Sequence, residues 1–175
     1  MDLRTCAFLV ALGACGGAQA PSPRTPVAPV VTAPAPRLDV ALGGARWTVA
    51  VRDATVAAAG DEATVTAPGF TLRLLTWPKS DAFVRTATEH LAGLRGRDPG
   101  LAVVLEVDHG PGDWQVVAQT AGKLDGAVLV PGGGDDAMCT FELAEGGDWR
   151  AAVDACLTLT ESMAQGVEAY GQELP

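Results

Sequence analysis

The stretch Ala137-Met138-Cys139-Thr140-Phe141-Glu142-Leu143, followed by Asp148-Trp149-Arg150-Ala151-Ala152-Val153-Asp154-Ala155-Cys156, decides the fold. Side chains alternate across a strand, so Cys139, Phe141 and Leu143 share one face. Turn residues Gly146 and Gly147 separate this strand from a different periodicity. At 100° per residue, Trp149, Val153, Cys156, Thr160, Met163 and Val167 fall on one side of a helix. That predicts a helix from Asp148 to about Ala164. An apolar strand face and an apolar helix stripe each need a cover, and here each can cover the other. Both cysteines then point into one core, one from a strand and one from a helix.

Working back from this unit, Ala127 to Val130 reads as a strand, with Gly122 to Gly126 as the turn before it and Pro131 to Asp136 as the turn after it. Trp114 to Ala118 alternates and reads as another strand. Leu101 to Val107 is the most apolar run, has no charge before Glu106, and reads as a central strand. The short turns between these runs make a four-strand antiparallel meander. Upstream, Phe83, Ala87, Leu91 and Leu94 form the stripe of a helix capped at Ser80 or Asp81 and ended by Gly96 and Pro99. Before it come a strand over Phe70 to Thr76, a hairpin of Thr55–Ala59 with Ala63–Ala67 turning at Gly60-Asp61, and a strand over Trp47 to Arg52. The class is α+β, an antiparallel sheet with two main helices. The folded part runs over residues 38–175 as a single domain.

The other end of the chain has a different character. Met1 to Thr5 carries Asp2 and Arg4, and Cys6 to Leu12 is a short apolar run. That run is far shorter than the ~20 residues needed to span a bilayer, but it fits the h-region of a signal peptide. Leu12-Gly13-Ala14-Cys15 closes it and resembles the lipobox of bacterial lipoproteins. The resemblance implies cleavage after residue 14, a Cys15 that is lipidated with acyl chains such as palmitate, and a membrane anchor. Gly16 after that cysteine implies outer-membrane delivery, facing periplasm or surface. The competing cleavage site, Ala18-Gln19-Ala20, is followed by Pro21, which suits a protease subsite poorly. Residues 15–37 then form a disordered spacer rich in proline and alanine, with Pro21, Pro23, Pro26, Pro29, Pro34 and Pro36. Such a chain favours polyproline II and reaches at most about 60–70 Å at ~3.1 Å per residue.

Four cysteines can now be apportioned. Cys6 leaves with the leader and Cys15 takes lipid. Cys139 and Cys156 remain as an even pair in an exported, oxidising compartment, which predicts a disulfide. The alternatives are two separate buried thiols or a redox pair, although redox chemistry favours an exposed, electropositive Cys-x-x-Cys.

The order of strands, amphipathic helix, meander and closing helix resembles the PsbP-like α/β/α sandwich of many exported bacterial proteins. The likest part runs from Gly122 through Cys139 to the Trp149 helix. The resemblance implies action through protein contacts and not through chemistry.

The chemistry-bearing residues agree with that expectation. The chain holds 12 basic and 21 acidic residues, net −9, which argues against a nucleic-acid partner. Its serines are Ser22, Ser80 and Ser162, and none lies in Gly-x-Ser-x-Gly. His90 falls near the apolar stripe of the first helix, as a core-edge histidine would. Asp108, His109 and Asp113 crowd a Gly-Pro-Gly turn, but tight turns call for aspartate anyway, and no metal-ligand spacing appears. Gly132-Gly133-Gly134 lacks the Lys-Ser or Lys-Thr of a phosphate loop and is followed by Asp135-Asp136. Asp136, Glu142 and Glu145 sit where solvated acids ordinarily sit, and no spacing makes a catalytic pair. Trp47, Trp114 and Trp149 fit apolar faces. Trp77, beside Pro78 at a strand end, is the tryptophan expected at a surface and the candidate interaction residue.

The expectation is therefore a membrane-anchored envelope lipoprotein, non-enzymatic, binding another envelope protein, with no cofactor and no metal. The alternative is a carrier of a small molecule or metal, with a polar-lined cavity near His90 or His109.

Overall fold

The computed structural model describes residues 33–80, 82–120 and 122–162. The leader, the lipobox, most of the spacer, Asp81 and the end of the chain beyond Ser162 lie outside the described residues. Ten strands and two helices are placed among those described: β1 Arg37–Leu42, β2 Ala45–Ala50, β3 Thr55–Ala59, β4 Glu62–Ala67, β5 Phe70–Trp77, α1 Ala87–Arg97, β6 Ala102–Asp108, β7 Trp114–Thr120, β8 Lys123–Val130, β9 Asp136–Leu143, α2 Trp149–Leu157 and β10 Thr160–Ser162. The class is α+β, and β-structure dominates.

Seven strands form one antiparallel sheet in the order β3-β4-β5-β9-β8-β7-β6. Its right half is the expected meander. Its centre is β9, whose alternation sorts the core into two. Cys139 lies opposite Leu74 and Val128, and Phe141 opposite Leu72 and Gly126. These residues pack with Ala152, Val153 and Cys156 of α2. Met138, one residue out of phase, lies opposite Leu75 and Leu129 and packs with Ala87 and Leu91 of α1. The two helices therefore cover opposite faces. Strands β1, β2 and β10 form a second, three-stranded sheet, and its Val40, Leu42, Trp47 and Val49 bury into the core on the α2 side. Cys139 and Cys156 are joined as a disulfide within that core.

The sequence reading departs from the structure in six places. Strand β1 occupies Arg37–Leu42, where the spacer was expected to reach Arg37. Gly43 and Gly44, at φ +58° and +78°, supply the left-handed turn that folds it onto β2. The first helix begins at Ala87 and not at Ser80. Thr86 and Glu89 form a reciprocal capping box there, and Asp108 Oδ2 accepts the Ala87 N–H at 3.2 Å. The chain before it is not helical: Phe83 is exposed, and its N–H donates to Ser80 O at 3.1 Å in a turn. Gly96 lies inside the helix, which ends at its cap Asp98. Residues 123–126 belong to β8 and not to a turn. The last helix stops at Leu157. Thr158 Oγ1 donates to Ala155 O and accepts from Ala50 N, which turns the chain onto β2, so Thr160 is in a strand. Finally, among the described residues β6 is an edge strand and not a central one.

Candidate functional site: the β6 edge and the pinned loop beside it

Strand β6 has a neighbour on one side only among the described residues, β7. Its register slips between Val103 and Leu105, which pair with Ala118 and Val117, so Val104 is an extra, bulged residue. Val103 is 38% exposed and Val104 44% exposed, and Ala102 before them is exposed too. Glu106 and Asp108 follow, both exposed. The result is a short strand edge that shows water three apolar side chains and then two carboxylates. Backbone donors and acceptors on such an edge are open to another extended chain, and a bulge shortens the run that is available.

The loop between β5 and α1 is held down close to this meander. Trp77 is half-buried, not at the open surface. Its Nε1–H donates to Val84 O at 2.7 Å, and its ring meets Phe83 edge-on at 5.3 Å between centroids. Arg85 Nη2 stands 2.6 Å from Asp136 Oδ2, and Lys79 Nζ stands 3.5 Å from Asp136 Oδ1. Asp136 is 1% exposed. This corrects the reading of Asp136 as a solvated turn acid: it is the buried anchor for two cations from the loop. Gly112 N–H donates to Arg85 O at 2.9 Å and closes the arrangement from the β6–β7 turn. The sequence carries no local sign of this pair, because its partners lie about fifty residues apart.

The remaining residues singled out in the sequence are scattered. His90 stacks tilted on Trp114, 4.8 Å between ring centroids, and burial followed by the nearby Arg97 charge pushes its pKa down. It lines a cleft of about 300 Å³ between α1 and the sheet, with Arg97, Asp125, Thr140 and Glu142. His109 is exposed, and its backbone N–H donates to Asp113 O at 2.9 Å. Asp108 spends Oδ1 on Gly110 N–H and Oδ2 on the start of α1. Among the described residues no three His, Cys, Asp or Glu side chains converge as metal ligands. The triple-glycine turn is occupied by protein groups: Asp136 Oδ1 accepts Gly132 N–H at 3.2 Å, Glu161 accepts Gly133 N–H, and Lys79 donates to Gly132 O at 2.6 Å. No described helix is long and apolar enough to cross a membrane.

No family model, curated protein or solved structure matches the chain.

Proposed function

We propose that the chain is a membrane-anchored envelope lipoprotein whose α+β domain binds another protein and catalyses no reaction. In this reading the lipobox gives a lipidated Cys15, the proline-rich stretch is a spacer, and the domain is a PsbP-like sandwich carried out from an outer-membrane surface. The observation that carries the protein-binding part is the β6 edge, with Val103 and Val104 exposed beside backbone that no other described strand pairs. Apolar side chains next to an open strand edge are a recurring mode of peptide recognition by strand addition.

The test uses the full chain expressed in a bacterial host. Intact mass of the extracted protein should show a chain beginning at Cys15 with added acyl mass. A photo-crosslinking amino acid at Val104 should give one discrete protein adduct, and a crosslinker at Ala58 on the opposite sheet edge should not. Val103→Lys combined with Glu106→Lys should remove an adduct formed through a crosslinker at Val104. A chain starting after Ala20 without lipid overturns the anchor. Equal adducts from both edges, or none, overturn the binding edge.

A second reading, a small-molecule carrier, is favoured by the cleft lined by His90, Arg97, Asp125 and Glu142. Convergent polar groups in a cleft of that size suit a small polar ligand, and a true ligand would raise the melting temperature, increasingly with the logarithm of its free concentration above Kd.

A further inference from the structure

On the far side of the domain from α1, a groove of about 700 Å³ runs between the start of β1, the end of β2, the β4–β5 turn and the exposed side of α2. Its floor is apolar: Val51 and Phe70 are buried there, and Pro34, Pro68, Ala151 and Ala155 complete the walls. The small residues are what leave it open, since alanine and proline stand where larger side chains would close it. Its rim is charged. Arg37 and Arg52 line it together with Asp53 and Asp154, all four exposed. None of the four makes an ion pair with another described residue. Asp53 is also the one non-glycine residue at positive φ among those described, +51°, a conformation that aspartate tolerates better than most residues.

An open apolar trough of this volume falls in the size range of small-ligand sites. Two guanidiniums and two carboxylates at its mouth leave no net charge, but they offer a partner for an anion and a partner for a cation at once. A simple anion would meet the aspartates, and a simple cation the arginines. A head that carries both signs meets neither penalty. We propose that this groove is a binding site for a single-chain zwitterionic amphiphile of the lysophospholipid class, taken up as a free monomer. The alkyl chain lies along Val51, Phe70 and Ala155. The phosphate is held by Arg37 and Arg52 through charge-assisted hydrogen bonds. The head cation faces Asp53 and Asp154. The site is separate from the β6 edge and from the His90 cleft, so it stands or falls independently of both functional readings.

The test uses the purified full chain and dodecylphosphocholine below its critical micelle concentration, with binding followed by calorimetry. One saturable site is expected. Dodecyl maltoside, with the same chain and an uncharged head, should bind at least about tenfold more weakly, as loss of one charged hydrogen-bonding set would give. Arg37→Gln with Arg52→Gln should cost a similar factor, and so should Asp53→Asn with Asp154→Asn. Ala151→Trp, on the solvent side of α2, fills the groove and should abolish binding. A circular-dichroism spectrum and melting point unchanged from the parent show that this variant is folded. Absence of a saturable site overturns the proposal. Equal affinity for the uncharged amphiphile overturns the zwitterion, and undiminished binding by folded Ala151→Trp overturns the location.

Discussion

Gly126 stands in β8 directly opposite Phe141 of β9, and a Cβ there would lie 2.0 Å from Phe141 Cε1. The phenyl ring occupies the space over the glycine, so the two residues share one layer of the core on the α2 side. Gly126→Ala must displace that ring and should destabilise by about 1–3 kcal/mol, read as a lower urea midpoint with an unchanged m-value. In the sequence this glycine reads as a turn, because a local reading knows glycine mainly by its backbone freedom. Its real constraint is a side chain fifteen positions away. Asp136 was misread for the same reason. An aspartate next to Gly132-Gly133-Gly134 looks solvated until Arg85 and Lys79 are brought to it by the fold.

Helix α1 carries a titrating group toward the sheet. Burial, and then the Arg97 charge, hold His90 below its ordinary value of 6.5. Asp125 and Glu142 line the same cleft from β8 and β9 without reversing that balance. The folded chain therefore binds fewer protons than the unfolded chain just below pH 6.5. The stability contributed by neutral His90 is complete above that pH and is lost as pH falls through the window between the unfolded and folded values. Urea midpoints should rise from pH 5 to pH 7, and His90→Gln should flatten that rise. Glu89, whose carboxylate is held below its usual range by the N–H groups of Arg85 and Thr86, acts at lower pH. Its contribution is present above 4.5 and is lost as pH falls through its lowered folded value.

Most elements were legible at this scale. The alternation of Cys139, Phe141 and Leu143 and the stripe of Trp149, Val153 and Cys156 give β9 and α2. Three misreadings came from tertiary context. The valines of β6 suggested burial on both faces, whereas among the described residues no strand follows it in the sheet, and Val104 at its bulge is exposed. The stripe through Phe83 suggested an earlier helix start, but Trp77 holds Val84 O and Asp136 holds Arg85, and the segment turns without forming a helix. Thr160 continued the helical stripe of α2, yet its partner is Thr48 of β2.

The domain is a seven-stranded sheet with α1 on one face and with α2 and the small sheet on the other. One covalent link, Cys139 to Cys156, ties the central strand to α2 over a separation of 17 residues. Cross-linking a loop of that length constrains the unfolded chain by about 3 kcal/mol. Cys139→Ser with Cys156→Ser should therefore lower the melting temperature by roughly 10 °C, and reductant should act on the parent but not on the double variant. The expectation of this bond rested on two apolar faces and an exported leader. The structure bears out the pairing itself.

The same link makes residues 139–156 a closed ring. The exposed residues Ala144 to Gly146, in the turn between β9 and α2, are the natural place in that ring for a peptidase to cut. Such a cut would not separate anything. Both pieces would stay bonded through sulfur, with β10 still zipped to β2, so the nicked molecule would run as two bands only after reduction. In an environment full of proteases, the domain can lose a peptide bond at this turn and remain one particle.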